Sequence, residues 1–299
     1  MNTSTRSVTE IPRKSPTAYT HPEWERRFPW LVQGVTAAVD PARAGTASDP
    51  AEMDAQAGPT GGDTAGPAAD FRLFGGDGPA PGARGRWEAL AAAYGFPHIV
   101  CAPQPHEATV RWYERVEPRS PEGGEPQAVG RAPLLVAEAC DGHATDRAGL
   151  LLGVTVADCV PVFLVDPVKR AVALLHAGWR GTAAEILARG VEALAERAGS
   201  RREDLRVHLG PAICGSCYEV GPEVFHALGL SPPPAPAPVD VRAVLVRQAG
   251  VLGIAGERIS ISSFCTRCGE GNFFSHRGGD AGRQVAFLGI RRERGEGVK

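Results

Sequence analysis

Three apolar runs crowd together between residues 133 and 177: "PLLVAEA", "GLLLGVTVADCVPVFLVD" and "AVALLHA". Short runs rich in Val and Leu, bounded by turn residues, read as buried strands. "DPVKR" joins the last two, and a turn that short predicts an antiparallel pair. Asp158 and Cys159 interrupt the middle run where it should be least broken. The two residues suit a catalytic pair, a metal ligand, or a small hydrophobe beside a turn-forming acid.

The flanking sequence supplies helices and more strands. "RWEALAAAYG" carries Trp87, Leu90, Ala91 and Tyr94 at helical spacing and stops at Gly95. "HIVCAPQ" follows as a strand. "TAAEILARGVEALAERAG" is the clearest helix, with Thr182 and Glu185 spaced as a capping box and Gly199 closing its end. Beyond it the chain reads as strand "LRVHLG", helices opening near Gly221 and at Asp240, and strands "RISISS" and "QVAFLGI". Strands and helices mixed in this way, with antiparallel turns, predict an α+β fold: a single domain of mixed, largely antiparallel sheets flanked by helices.

Residues 40–81 hold mostly Ala, Gly, Pro, Asp and Thr, too little apolar surface to offset the entropy of ordering, so a disordered insertion is expected there. The chain divides into an N-terminal segment, 1–84, and a catalytic domain, 85–299, which the N-terminal strands are expected to complete. Residues 117–133 read as a polar loop, and "SPPPAPAP" at 231–238 as a polyproline-like connector.

Lys and Arg number 32 against 34 Asp and Glu, so no strong field gathers nucleic acid or an anionic membrane, and small molecules or proteins are the expected partners. The first residues lack the apolar core of a secretory signal. The longest apolar stretch, 150–165, is broken by Asp158 and Pro161. A soluble, cytoplasmic protein is expected, and its 7 cysteines then read as free thiols or metal ligands.

An antiparallel hairpin would bring Cys159 and His176 to the same side, but spacing fixes neither register nor facing, so the pair is permitted to meet without being required to. In "HAGWRGT" two glycines flank Trp179 and Arg180 just before a helix, a turn suited to an oxyanion unless Arg180 pairs with a local carboxylate. Cys214-x-x-Cys217 and Cys265-x-x-Cys268 have the ligand set of a structural zinc knuckle, although 47 intervening residues exceed the usual ribbon spacing. His143 and His208 read as structural.

Taken in order, "ADCVPV", "DP", "HAGWRGT", "LGPAI", "CYEVG", "CT", "FFSHR" and the "GR" before the last strand resemble the YfiH-type laccase-domain family over 98–290. That family was long labelled multicopper polyphenol oxidase and is described as purine nucleoside phosphorylases. The resemblance implies a catalytic zinc held by His106 of "PQPHEA", Cys159 and His176. It implies a purine nucleoside and phosphate as substrates, with adenosine, inosine or methylthioadenosine cleaved and adenosine deamination as a further activity. His276 and Arg277 match a segment bordering the substrate and Arg283 matches the family's T-G-R arginine; Asp158 reads as a substrate-binding residue, either a partner of the ligand or a proton acceptor, or else as a turn acid, and Arg180, from the chemistry of its turn, is the candidate for phosphate. The chain is expected to be a monomer or homodimer.

Two departures stand out. The family's Q-V-H-G is here Gln104-Pro105-His106-Glu107, and its N-terminal motifs survive as "VQGVT", with Gln33 near the expected Arg, and "DFRLFGG". Other readings remain. A copper polyphenol oxidase of the multicopper type uses H-x-H pairs, and the 8 histidines contain none, although copper could bind a His-Cys-His site in vitro. A cysteine hydrolase would use Cys159 as nucleophile with His176 or His106 as base. A non-enzymatic interaction protein would be built on the C-x-x-C pairs.

Overall fold

The structure, a computed structural model, describes residues 5–14, 17–38, 70–75, 78–114, 133–269 and 271–293. Most of the 40–81 insertion and of the 117–133 loop lies outside these residues. The end of the insertion departs from the expectation of disorder. Phe71 is buried edge-on against Trp87, with ring centroids 5.9 Å apart, and Ala80 is buried as well. The aromatic and small apolar residues of "DFRLFGG…PAP" give that end the packing surface that 40–69 lacks.

Two seven-stranded sheets form the body. The first runs β1 (Arg6–Val8), β15 (Ile259–Ser262), β12 (Arg206–Leu209), β10 (Val160–Asp166), β11 (Ala171–Ala177), β8 (Gly142–Thr145) and β6 (Val110–Tyr113). It is antiparallel from β12 to β8 and parallel at both edges. The second runs β2 (Ile11–Lys14), β3 (Thr17–Thr20), β4 (Leu31–Thr36), β16 (Gln284–Ile290), β9 (Leu150–Val156), β5 (His98–Cys101) and β7 (Leu134–Val136). It is antiparallel as far as β9 and parallel beyond. A short ribbon pairs β13 (Glu219–Val220) with β14 (Ala237–Pro238).

The apolar runs are continuous because these strands are covered on both faces. Phe163 and Val165 of β10 and Val172 and Leu174 of β11 pack toward Leu150, Leu152 and Val154 of β9 and Ala286 and Leu288 of β16, forming the core between the sheets. The alternate residues, Val162, Leu164, Ala173 and Leu175, face the other way, into a cluster with Ile186, Leu187, Val191 and Leu194 of α4 (Ile186–Ala198) and Leu245 and Ala249 of α6 (Val241–Val251). On the far side of the second sheet, Leu151, Val285 and Phe287 pack against Trp87, Leu90 and Ala91 of α2 (Ala83–Ala93). The result is a helix–sheet–sheet–helix sandwich, each buried Val, Leu or Phe contributing roughly 1.5–3 kcal/mol. At Gly190 of α4 a Cβ would fall 2.8 Å from the methyls of Leu164 and Leu175, so glycine there sets how closely the helix approaches the sheet.

Short helices α1 (Pro22–Arg27), α3 (Trp179–Ala183) and α5 (Pro222–Ala227) complete the α-helices among the described residues. The single helix expected from Thr182 is two. Thr182 already lies inside α3, where its N–H donates to Gly178 O (2.9 Å), and Glu185 takes the left-handed conformation, φ 61°, at the break before α4. Thr182 and Glu185 therefore form no capping box. Gly199 does close α4, at φ 66°, and Asp240 caps α6 through the N–H groups of Arg242 and Ala243. Among the described residues no helix is long and apolar enough to cross a membrane.

The long middle run turns out to be two strands in different sheets, β9 in the second and β10 in the first, and residues 157–159 carry the chain across. A second crossing in the same direction, 102–109, links β5 to β6.

Candidate metal centre and active site

The two crossings supply two of the residues at the site, His106 and Cys159. The third, His176, comes from the end of β11, which pairs antiparallel with β10 so that His176 stands opposite Pro161. That register resolves what spacing left open. One nitrogen of each of His106 and His176 and the Cys159 sulfur lie within 4.8 Å of one another, and the imidazole centroids are 4.8 Å apart. His176 is buried, Cys159 half-buried and His106 exposed.

Asp141, fully buried just before β8, organises the cluster. Its Oδ1 accepts from His176 Nδ1–H (2.8 Å) and from the His106 N–H (3.0 Å), and its Oδ2 accepts from the Glu107 N–H (2.7 Å). An ionised carboxylate can only accept, so the proton of His176 sits on Nδ1 and Nε2 is left for the site. His106 is fixed the same way, since its Nδ1 meets the Gln104 carbonyl (3.1 Å). Gln104 is tied to β9: its Oε1 accepts from the Thr155 N–H and hydroxyl, both at 2.8 Å, and its Nε2 donates to Thr155 O (2.8 Å). His106 itself has φ 65°, a conformation disfavoured for a side chain of its size and held by these bonds. Gly178 leaves room for the cluster, because a Cβ there would lie 3.0 Å from Cys159 Sγ and 3.3 Å from His106 Cδ2.

Burial alone would raise the Cys159 thiol, but the charge of His176 and hydrogen bonds from both histidines outweigh it and bring the thiol down to about 6. For His176, burial opposes protonation, while the Cys159 thiolate and the Asp141 hydrogen bond more than compensate and lift it to about 9. A sulfur that readily ionises, two imidazoles that each turn one nitrogen toward it, and a carboxylate behind one of them make a donor set that would suit a metal ion, whose binding would displace the second proton of His176.

Asp158, at the corner of the crossing, has φ 86°. Its Oδ1 accepts from the Thr266 hydroxyl (2.6 Å), its Oδ2 from the Arg277 N–H (2.6 Å), and its carbonyl from the Ile213 N–H (3.1 Å). The carboxylate thus pins Thr266 and Arg277 beside the cluster. Two hollows meet there. One, about 290 Å³, is lined by Arg180, Tyr218, His276 and Arg277 as well as by His106 and Cys159. The other, about 490 Å³, adds Arg72, Phe74, Gln104, His176 and Arg283.

Arg180 lies over the Trp179 ring at 4.4 Å, is exposed, and pairs with no carboxylate among the described residues. Arg277 donates to Glu219 O (2.9 Å) and lies over the Tyr218 ring at 5.0 Å. Arg283 spends Nη1 on the carbonyls of Asp280, Ala281 and Gly282 in its own loop. Of the altered N-terminal motifs, 72–75 reaches the wall of the larger hollow, whereas Gln33 is buried in β4 and donates to His21 O (3.3 Å). Cys214, Cys217, Cys265 and Cys268 converge in a separate cluster, their sulfurs within 4.8 Å of one another. His143 and His208 are internal hydrogen-bonding residues, His143 with Tyr113 (2.7 Å) and His208 with Glu10 and Ser260 (3.0 Å each).

The sequence reading passed over Asp141 and Thr266. Both look like turn residues in "CDGHAT" and "FCTRC", and only the pairing of β8 with β11, Gly142 opposite Leu175, shows Asp141 to be next to His176.

The family described as multi-copper polyphenol oxidoreductase laccase matches residues 61–291. A relative named purine nucleoside phosphorylase YlmD, from Geobacillus stearothermophilus, is 39% identical over 166 residues, which are 51% of this chain and 61% of that protein. Another, named adenosine deaminase RL5, from an unknown prokaryotic organism, is 36% identical over 169 residues, 52% of this chain and 63% of that one. The matched segment spans about three fifths of the length of both. The crystal structure of YlmD from Geobacillus stearothermophilus superposes with a TM-score of 0.70 at 28% identity, covering 96% of this chain and 100% of that one.

Proposed function

We infer the activity from a family premise: the chain belongs to the multi-copper polyphenol oxidoreductase laccase family, whose match spans residues 61–291. Within that family it acts as a zinc-dependent purine nucleoside phosphorylase on adenosine, inosine or methylthioadenosine, with adenosine deamination as a second activity of the same site. The observation that carries this reading is the His106–Cys159–His176 cluster, fixed by Asp141, at the junction of two hollows. Relatives named purine nucleoside phosphorylase and adenosine deaminase support the substrate class.

In phosphorolysis a phosphate oxygen bonds to the ribose C1′ as the bond from C1′ to the purine nitrogen breaks, and the departing base takes up a proton. His106, Cys159 and His176 would hold the zinc, which would supply Lewis-acid charge at the junction. Arg180, with no carboxylate partner among the described residues, offers a guanidinium fork to phosphate. His276, exposed and lining both hollows, is the candidate to pass a proton to the base. Asp158 holds the backbone beside it through the Arg277 N–H.

The histidines argue against a multicopper oxidase. All 8 lie among the described residues, and only His106 and His176 share a candidate metal cluster. One observation favours a second reading. Cys159, His176 and Asp141 stand in the order of a cysteine hydrolase triad, with a depressed thiol. Alkylation separates the two: inactivation only after metal removal identifies a ligand, and rapid inactivation of the metal-loaded protein identifies a nucleophile.

The deciding experiment incubates metal-quantified protein with adenosine, inosine and methylthioadenosine, with and without phosphate. Free base and ribose 1-phosphate formed only with phosphate, and lost in Cys159→Ala, are expected. Turnover of none of the three overturns the reading. Arg180→Ala should raise the phosphate KM strongly, and an unchanged phosphate dependence removes Arg180 from that role.

A further inference from the structure

The four cysteines outside the active site belong to two C-x-x-C segments far apart in sequence, and the fold explains why they meet. Strands β12 and β15 are parallel neighbours, Leu209 opposite Ile261, so the segments that follow them leave the same end of the sheet side by side. The pairing continues past the strands as a bridge between Ala212 and Cys265, with the Thr266 N–H donating to Ala212 O (3.2 Å). Sequence separation is therefore no measure of distance here.

The local geometry is that of a thiolate cage. Cys214 Sγ and Cys268 Sγ are 3.8 Å apart, and all four sulfurs lie within 4.8 Å of one another. A tetrahedral ion with metal–sulfur bonds of about 2.3 Å requires sulfur–sulfur separations of about 3.8 Å. A disulfide requires about 2.05 Å, and all four cysteines are free. The backbone points N–H groups at sulfur: Cys214 N–H and Cys268 N–H both donate to Cys265 Sγ, at 3.2 and 3.5 Å. Gly269, directly after the last cysteine, allows the turn to close, since a Cβ there would lie 2.5 Å from Cys265 O.

We propose that Cys214, Cys217, Cys265 and Cys268 bind a structural zinc ion, separate from the His106–Cys159–His176 cluster, that fastens the two C-x-x-C segments together behind the active-site wall. On binding, the thiols give up their protons to solvent and four metal–sulfur bonds form, with no change of oxidation state. The fastening reaches the site through short links. Thr266, between two of the cysteines, holds Asp158 Oδ1, and Tyr218, directly after Cys217, lines the smaller hollow. Arg267 Nη1 donates to Cys217 O (2.9 Å), bracing one segment against the other.

The test is kept independent of the catalytic reading by using full-length Cys159→Ala protein, which retains all four cysteines of the cage. Under reducing conditions this protein is expected to hold one zinc per chain. Exchange for cobalt should give the intense charge-transfer and visible bands of a four-thiolate tetrahedral site. The further substitution Cys268→Ser should abolish stoichiometric zinc. If that variant does not fold, the cobalt spectrum of the Cys159→Ala protein still decides. A cobalt spectrum without thiolate bands, zinc absent from Cys159→Ala, or four thiols labelled equally fast with and without zinc overturns the proposal.

Discussion

Replacing Asp141 by asparagine keeps the shape of a fully buried side chain and removes its charge. In the wild type Oδ1 receives two N–H groups and Oδ2 one. The best placement of the amide keeps oxygen toward His176 and His106 and turns its NH2 against the Glu107 N–H. One charge-assisted bond is lost, at ~1.5–3 kcal/mol, and two fall to ordinary strength at ~0.5–1.5 kcal/mol each. Relief from burying a carboxylate offsets part of this, leaving a net destabilisation of about 2–4 kcal/mol. Zinc affinity should fall about 10–100-fold, because the acceptor behind His176 keeps its place but loses its charge, and the His106–Glu107 turn loses its bond at the Glu107 N–H. Urea unfolding of the metal-free protein measures the first effect, and competition with a chromophoric chelator the second. A stability loss with unchanged zinc affinity would refute the positioning role of Asp141.

Three further outcomes follow from the same geometry. Gly178→Ala places a methyl between Cys159 and His106 at an ordinary backbone conformation, φ −75° and ψ 175°, so metal occupancy should drop while stability falls by no more than about 1–3 kcal/mol; full occupancy would contradict the close approach. Thr266→Val removes the hydroxyl donating to Asp158 and should speed hydrogen exchange over 275–278 at a stability cost of about 1.5–3 kcal/mol; unchanged exchange there would show that Asp158 does not hold that segment. Burial, with the charge of His208 adding to it, holds His21 down to about 3, and burial, with the charge of Arg111, holds His143 down to about 4, against 6.5 for an unperturbed imidazole. Below 6.5 the unfolded chain binds protons that the folded one refuses, so stability is full above that pH and falls toward pH 4 by about 1.4 kcal/mol per unit for each histidine. Denaturation midpoints at pH 7 and pH 5.5 test this, and equal midpoints would contradict it.

How much of this was legible in the sequence depended on range. The β10–β11 hairpin, the helix ends at Gly199 and Asp240, and strands β5, β7, β12, β15 and β16 follow from local chemistry that the chain states directly, whereas β6 and β8 carry too few apolar residues to announce themselves. The break at Glu185 does not, because Thr182 and Glu185 reproduce a capping spacing while the helical turn already begins at Trp179. The long middle run looks like one strand because both halves are buried, and the change of sheet at 157–159 is marked only by Asp158 and Cys159. Motif resemblance picked out His106, Cys159 and His176, whereas spacing alone could not. Asp141 stayed hidden because its partners are 35 residues away or bound through backbone N–H groups. The C-x-x-C pairs seemed too far apart because parallel adjacency of β12 and β15 cannot be read from a gap length.

The crossings have a mechanical consequence. His106 and Cys159 sit where the chain steps from one sheet to the other, and His176 belongs to one sheet alone, so the site straddles a seam. An ion gripped there would act as a rivet through that seam, and sliding of the sheets over the Phe163 and Leu152 layer would stretch it. Repacking that layer, well away from any substrate, then becomes a means of tuning the grip on the ion without altering a single ligand.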